Sequence, residues 1–185
     1  MAAASPPAAA SRPPLRRKTR FSDARSGAAA VEFALIAAPF LVLLFAMIEV
    51  AAVFFASTVL ENAVLVAARD VRTGVFQGGG GAANDFRNTV CAEIDVIGDC
   101  DELEIDIRVF DGFVSVDQSS MLVAGEIDTN SLQFDPGGAG DIVLVRLFYK
   151  WPLVIPNFGL GLVNMKDNSR LIMATTVFRN EPFEE

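Results

Sequence analysis

The residues best placed to do chemistry in this chain lie at one junction. Gly27 closes a basic, proline-rich leader. The run Gly27-Ala-Ala-Ala-Val-Glu32-Phe33 then opens a stretch in which residues 34–48 carry no charge. A carboxylate at the threshold of a membrane-length apolar helix is energetically out of place unless something uses it. The alternative is that Glu32 rests at the headgroup interface of an ordinary anchor. Histidine is absent, which removes Ser-His-Asp and Cys-His nucleophilic sites together with His-ligated metals. No enzyme activity, cofactor or metal site is expected.

Two further groups of residues carry possible chemistry. Cys91 and Cys100 are the two cysteines. Their even number and position beyond the apolar stretch predict one disulfide closing a short loop, with two unpaired thiols as the alternative. The acidic run Glu93, Asp95, Asp99, Asp101, Glu102, Glu104 and Asp106 invites a calcium reading. Its spacing is not that of an EF-hand loop, and Glu104 and Asp106 read as the solvent face of a strand. Nothing in that spacing argues for a carboxylate-only hydrolase. The glycines at 78–81 lack the Gly-Lys-Ser/Thr ending of a phosphate loop and read as a flexible spacer.

The elements that must position these residues follow from periodicity. Residues 1–26, rich in Ala, Pro, Ser and Arg, show no apolar period and are expected to be disordered until processed or bound. A helix is expected from Ala28. Residues 28–57 are long and apolar enough to cross a membrane, with Pro39 tolerated inside and Glu49 toward the outer part of the bilayer. Small residues at Val50 and Ala52 imitate a signal-peptidase site, but Glu49 abuts them and the apolar run continues through Phe54-Phe55. Residues 58–74 read as an amphipathic continuation, with Leu60, Val64, Ala67, Ala68 and Val71 on one stripe and Gly74 as its stop.

Beyond it, residues 84–185 read as an α+β domain. A short helix over 84–97 carries Cys91. Strand 103–109 has Leu103, Ile105, Ile107 and Val109 on one face, with Phe113-Val-Ser-Val116 as its hairpin partner across Asp111-Gly112. Residues 125–140 read as loop and 142–149 as the central, most apolar strand. Trp151-Pro152 and Ile155-Pro-Asn-Phe158 are expected to interrupt pairing, before a last strand at 171–178. The fold class is thus a long transmembrane-to-amphipathic helix packed on a small, mainly antiparallel sheet.

Charge orients the chain. The leader holds six basic residues against one acid, and the remainder is net acidic by 13. Such a tail suits nucleic acid, but beside a membrane span it is a positive-inside signal. It places the N-terminus in the cytoplasm and the acidic domain across the membrane. No nucleic-acid partner is expected.

The sequence Gly27-Ala-Ala-Ala-Val-Glu-Phe-Ala-Leu-Ile with Pro39 and then Ala67-Ala-Arg69, closed by Phe178-Arg-Asn-Glu-Pro-Phe183, resembles the TadE-like minor pseudopilins of tight-adherence (Flp) pilus systems. Major Flp pilins usually carry tyrosine where this chain has Phe33 and are far shorter, which points to a minor pseudopilin. The resemblance implies cleavage between Gly27 and Ala28 by a prepilin peptidase on the cytoplasmic face of a bacterial inner membrane. It implies that Glu32, next to Phe33, pairs with a free N-terminal amine, that of a neighbouring subunit. It also implies as partners other pilin or pseudopilin subunits, inner-membrane lipid and the assembly platform, with a periplasmic C-terminal domain and entry into an extracellular pilus as one fate. The alternative from a different class is an unprocessed, membrane-anchored module that binds a ligand or another subunit.

Overall fold

A run of Ala, Leu, Ile, Phe and Val with one proline favours a single long helix. In the computed structural model, which describes residues 25–116, 121–154 and 161–183, α1 spans Arg25–Arg72, 48 residues, and runs through Pro39. The described residues fall into two compact units, one ending at Val42 and one comprising Leu43–Glu185. In the first unit the described part of α1 is exposed along almost its whole surface, including Val31, Phe33, Leu35, Ile36 and Phe40.

The second unit holds the core. Buried α1 positions are Ala46, Glu49, Val53, Ala56, Leu60, Ala63, Val64, Ala67, Ala68 and Val71. Their spacing of three and four keeps one stripe toward the sheet. That stripe includes the positions expected from residue 60 onward, and it begins fourteen residues earlier, at Ala46. Arg69 and Arg72 occupy the last turn, where cations suit the helix dipole. The helix stops at Gly74, whose φ of +78° is left-handed and whose missing side chain makes room for the Phe183 ring.

Beyond the stop, α2 (Val75–Gly78) and α3 (Ala83–Ile94) follow. The glycines expected to be a flexible spacer form a hydrogen-bonded turn instead. Gly79, Gly80 and Gly81 donate to the carbonyls of Val75, Gln77 and Phe76, and φ values of +103° and +62° at Gly80 and Gly81 explain the residue type.

The sheet has order β1-β4-β5, all antiparallel, with β1 Leu103–Phe110, β4 Ile142–Pro152 and β5 Ser169–Arg179. The apolar strand is central, as its composition predicts. Leu103, Ile107, Val143, Val145, Leu147, Tyr149, Ile172 and Ala174 face the α1 stripe, and Phe86, Val90 and Ile94 of α3 join them. A two-stranded hairpin, β2 Leu122–Val123 and β3 Glu126–Ile127, turns through Ala124 and Gly125, both at positive φ. With Met121, Leu132 and Met165 it covers the other face of the sheet over Phe148 and Leu171.

Two strand expectations are corrected. Phe113-Val-Ser-Val116 does not pair with β1. Phe113–Ser115 is a 3-10 turn, and β1 pairs with β4 along its length. Trp151 and Pro152 do not leave the ladder, because they pair with Arg170 and Ser169. Proline is tolerated there because β1 ends opposite Tyr149, so no strand on that side needs its N–H. The loop expected at Ile155-Pro-Asn-Phe158, and the leader through residue 24, lie outside the described residues. Arg25 and Ser26, expected to be irregular, already belong to α1, which begins three residues before the expected Ala28.

Candidate processing and assembly site

Gly27 and Ala28 are the third and fourth residues of α1, within its first turn. First-turn N–H groups have no intrahelical acceptor, and glycine weakens a helix by about 1 kcal/mol relative to alanine, so this turn opens more easily than the rest. A side chain added at Gly27 would meet nothing within 4 Å. The residue is therefore not required by packing among the described residues.

Ala28 and Glu32 are four apart and share a helix face. Glu32 and Phe33 are exposed, and no described residue forms a hydrogen bond or ion pair with Glu32. Residues 27–45 otherwise present Ala, Val, Leu, Ile and Phe to the outside, with Leu43 at 65% and Phe45 at 56% exposure. Gly27–Arg72 is long and apolar enough to cross a membrane. Farther along, Ser57 and Thr58 return their hydroxyls to the carbonyls of Val53 and Phe54 at 3.0 and 3.1 Å, so neither polar group asks for water.

Glu49 differs from Glu32. Rather than standing in the open, Glu49 is 8% exposed, and its carboxylate accepts the N–H of Val154, where the chain leaves β4. It caps a strand end, and the domain reaches down α1 to its level.

The cysteines are bonded: Cys91 on α3 joins Cys100 ahead of β1, with Cα atoms 5.6 Å apart. Arg87 reinforces the same connection by donating to the carbonyls of Cys100 and Leu103 at 3.0 and 2.8 Å.

One polar cluster escaped the sequence reading. Asp106, expected on a solvent face, is fully buried. Its carboxylate accepts from Arg146 Nη2 at 2.7 Å, from Arg108 Nε at 2.9 Å and from the Gln133 N–H at 2.8 Å. Arg108 donates onward to the Ser131 carbonyl, and the Arg146 guanidinium lies over the Phe148 ring. The cluster pins residues 121–133 to the outer face of the sheet, so it is architecture rather than a reaction centre. Its signal was a lone arginine in the apolar run Ile-Val-Leu-Val-Arg146-Leu-Phe-Tyr. A buried arginine requires a carboxylate.

At the sheet end near Glu49, Lys150 and Asp167 pair at 2.6 Å, with Ser169 also donating to Asp167. The bond from Lys150, then that from Ser169, holds the Asp167 carboxyl down to about 2. Among the described residues no group of side chains has the composition to hold a metal ion.

Residues 27–69 match the family model for TadE-like proteins, the family that the junction resembles. No curated protein and no solved structure matches the chain. The match begins at Gly27 and takes in Glu32, the exposed apolar surface and most of the sheet-facing stripe. It covers 43 of the chain's 185 residues, and the domain beyond Arg72 lies outside it.

Proposed function

We propose that this chain is a minor pseudopilin of a tight-adherence apparatus, cut between Gly27 and Ala28 by a prepilin peptidase and then assembled through its apolar helix. The observation that carries the reading is a coincidence on one element. A TadE-like match starts at Gly27, and five residues later a carboxylate without a partner among the described residues stands on an otherwise apolar, exposed helix.

The chemistry is consistent at each step. Glycine before the scissile bond lets the backbone approach catalytic carboxylates closely and lets the first turn open. Cutting there discards the arginine-rich leader after it has held the N-terminus in the cytoplasm, and it frees the amine of Ala28. Glu32 becomes the fifth residue of the mature chain. A carboxylate at the bilayer centre costs about 2.5–3.5 kcal/mol on insertion scales, and less toward the edge. The amine of a neighbouring subunit offsets that cost only when the two helices stand in the right register. The α+β domain of residues 84–185 then lies on the periplasmic side as a structural part of the assembly.

Two variants test the roles. Gly27→Ala is expected to accumulate as precursor in the native host, seen as a heavier band in membrane fractions. Glu32→Ala is expected to be cut normally yet to be lost from assembled material. Wild-type processing and piliation in both variants would remove these residues from the mechanism.

A further inference from the structure

β5 is an edge strand, and the direction of its main-chain groups can be read from one contact. The Asn164 side chain donates to the Leu171 carbonyl at 3.2 Å and accepts the Leu171 N–H at 2.7 Å. In an antiparallel strand both main-chain groups of a residue point the same way, and successive residues alternate. The β4–β5 register is unbroken from Ile142↔Arg179 to Pro152↔Ser169. Met173, Thr175 and Val177 therefore turn their N–H and C=O groups away from β4, as Leu171 does. Farther on, Glu181 donates its N–H to the Arg72 carbonyl at 2.8 Å. The edge is closed at Leu171 and again at Glu181. Between them no described residue bonds to the outward main chain of Met173, Thr175 or Val177.

A groove of about 450 Å³ runs beside this window on the helix side, bounded by Leu65, Ala68, Arg69, Arg72, Thr176 and Phe178. Here α1 overhangs the sheet, and Leu65 is 60% exposed. A fourth strand on β5 would satisfy the outward groups, place alternate side chains in the groove and cover Leu65. Open edges of this kind are templates for strand addition.

We propose that this window receives residues 111–116 of a second copy of the chain. The segment Asp111-Gly-Phe-Val-Ser-Val116 has the alternation and residue types of a strand, yet within its own chain it makes only a short 3-10 turn. Phe113 is 59% exposed and Val114 wholly so. The groove is lined by Arg69, Arg72 and Glu181; Glu181 pairs with Arg72 at 3.1 Å, so Arg69 is the cation that Asp111 would meet. The donor follows Phe110 on one edge, and the window ends at Val177 on the other, two residues short of Arg179. Ile142 pairs with both Phe110 and Arg179, so the donor leaves the sheet at the end toward which the window runs. Copies held side by side thus bring the donor of one to the acceptor of the next. Such a contact is head-to-tail and propagates. The inference rests on the pseudopilin reading for its side-by-side arrangement.

The test is cross-linking of the full chain in native membranes. Val114→Cys is combined with each of Met173→Cys, Thr175→Cys and Val177→Cys, and mild oxidation is followed by non-reducing electrophoresis. An intact Cys91–Cys100 bond serves as the control for folding. A ladder of linked copies is expected from at least one pair, beyond anything the single-cysteine variants give. Adding Thr175→Pro to the Val114→Cys, Val177→Cys pair should abolish the ladder, since proline there removes only an outward N–H and spares the β4 pairing. No ladder from any pair, or a ladder indifferent to Thr175→Pro, overturns the proposal. The N-terminal residue of the same preparations is read separately. A ladder on uncut chains would contradict processing but leave the strand pairing standing, and Ala28 first without a ladder would do the reverse.

Discussion

Removing the Asp106 carboxylate takes from Arg146, buried on the outer face of β4, the acceptor of two of its hydrogen bonds. Breaking a buried pair from one side typically costs about 3–5 kcal/mol, whereas replacing both partners by apolar groups of similar volume is often tolerated. Asp106→Ala in the full chain is therefore expected to lower the thermal midpoint strongly. Asp106→Leu with Arg146→Met should recover much of the loss, as followed by near-ultraviolet circular dichroism in detergent. Asp167 behaves differently because it is exposed. Its folded-state carboxyl titrates near 2, below the ordinary 3.8, so its contribution is complete above the unfolded value and is lost as pH falls through about 2. The same bond raises the partner Lys150, whose share is present below its ordinary 10.5 and lost on titration above it. Carboxyl chemical shifts should show the low Asp167 midpoint, and Lys150→Met should return it toward 3.8. An unchanged midpoint would remove Lys150 as its cause.

At the scale of elements, what was legible was what has a period. The sheet-facing stripe of α1, the helix carrying Cys91, the apolar central strand and the final strand all announce themselves over eight or more residues. What was not legible depended on partners distant in sequence. Alternation in β1 made Asp106 look solvent-facing, because a strand's second face reads the same whether water or a buried arginine forty residues away meets it. The local Asp111-Gly112 turn signal suggested a hairpin, but the long apolar strand Ile142–Pro152 pairs with β1 and buries far more surface than Phe113-Val-Ser-Val116 could. The α1 stripe was read from Leu60 because alanines at 46 and 56 look alike in lipid and in a core. The link between α3 and β1 carries its own prediction. Closing a loop of about ten residues restricts the unfolded chain by roughly 2–3 kcal/mol. Cys91→Ser with Cys100→Ser should therefore lower the thermal midpoint by several degrees and leave α3 in place, held by Arg87. A drop no larger than that of a surface substitution would show the bond to be dispensable.

At the scale of the molecule, one helix serves two environments. From Gly27 through residue 45 its surface faces outward and, Glu32 apart, is apolar. From Ala46 its buried stripe is the roof of an α+β domain. The family resemblance was readable from the sequence because its signal is local: a glycine, a carboxylate five residues on, and apolar neighbours. The family match from Gly27 to Arg69 falls on that part of the chain, while the domain beyond had to be read from its own packing. The account depends on an event at Gly27, and intact-mass analysis of the protein extracted from its native host reads that event directly. A mature chain beginning at Ala28, lighter than the full sequence by the 27-residue leader, is the expected result. A chain that keeps its leader through Gly27, or one that begins beyond Glu32, would contradict it.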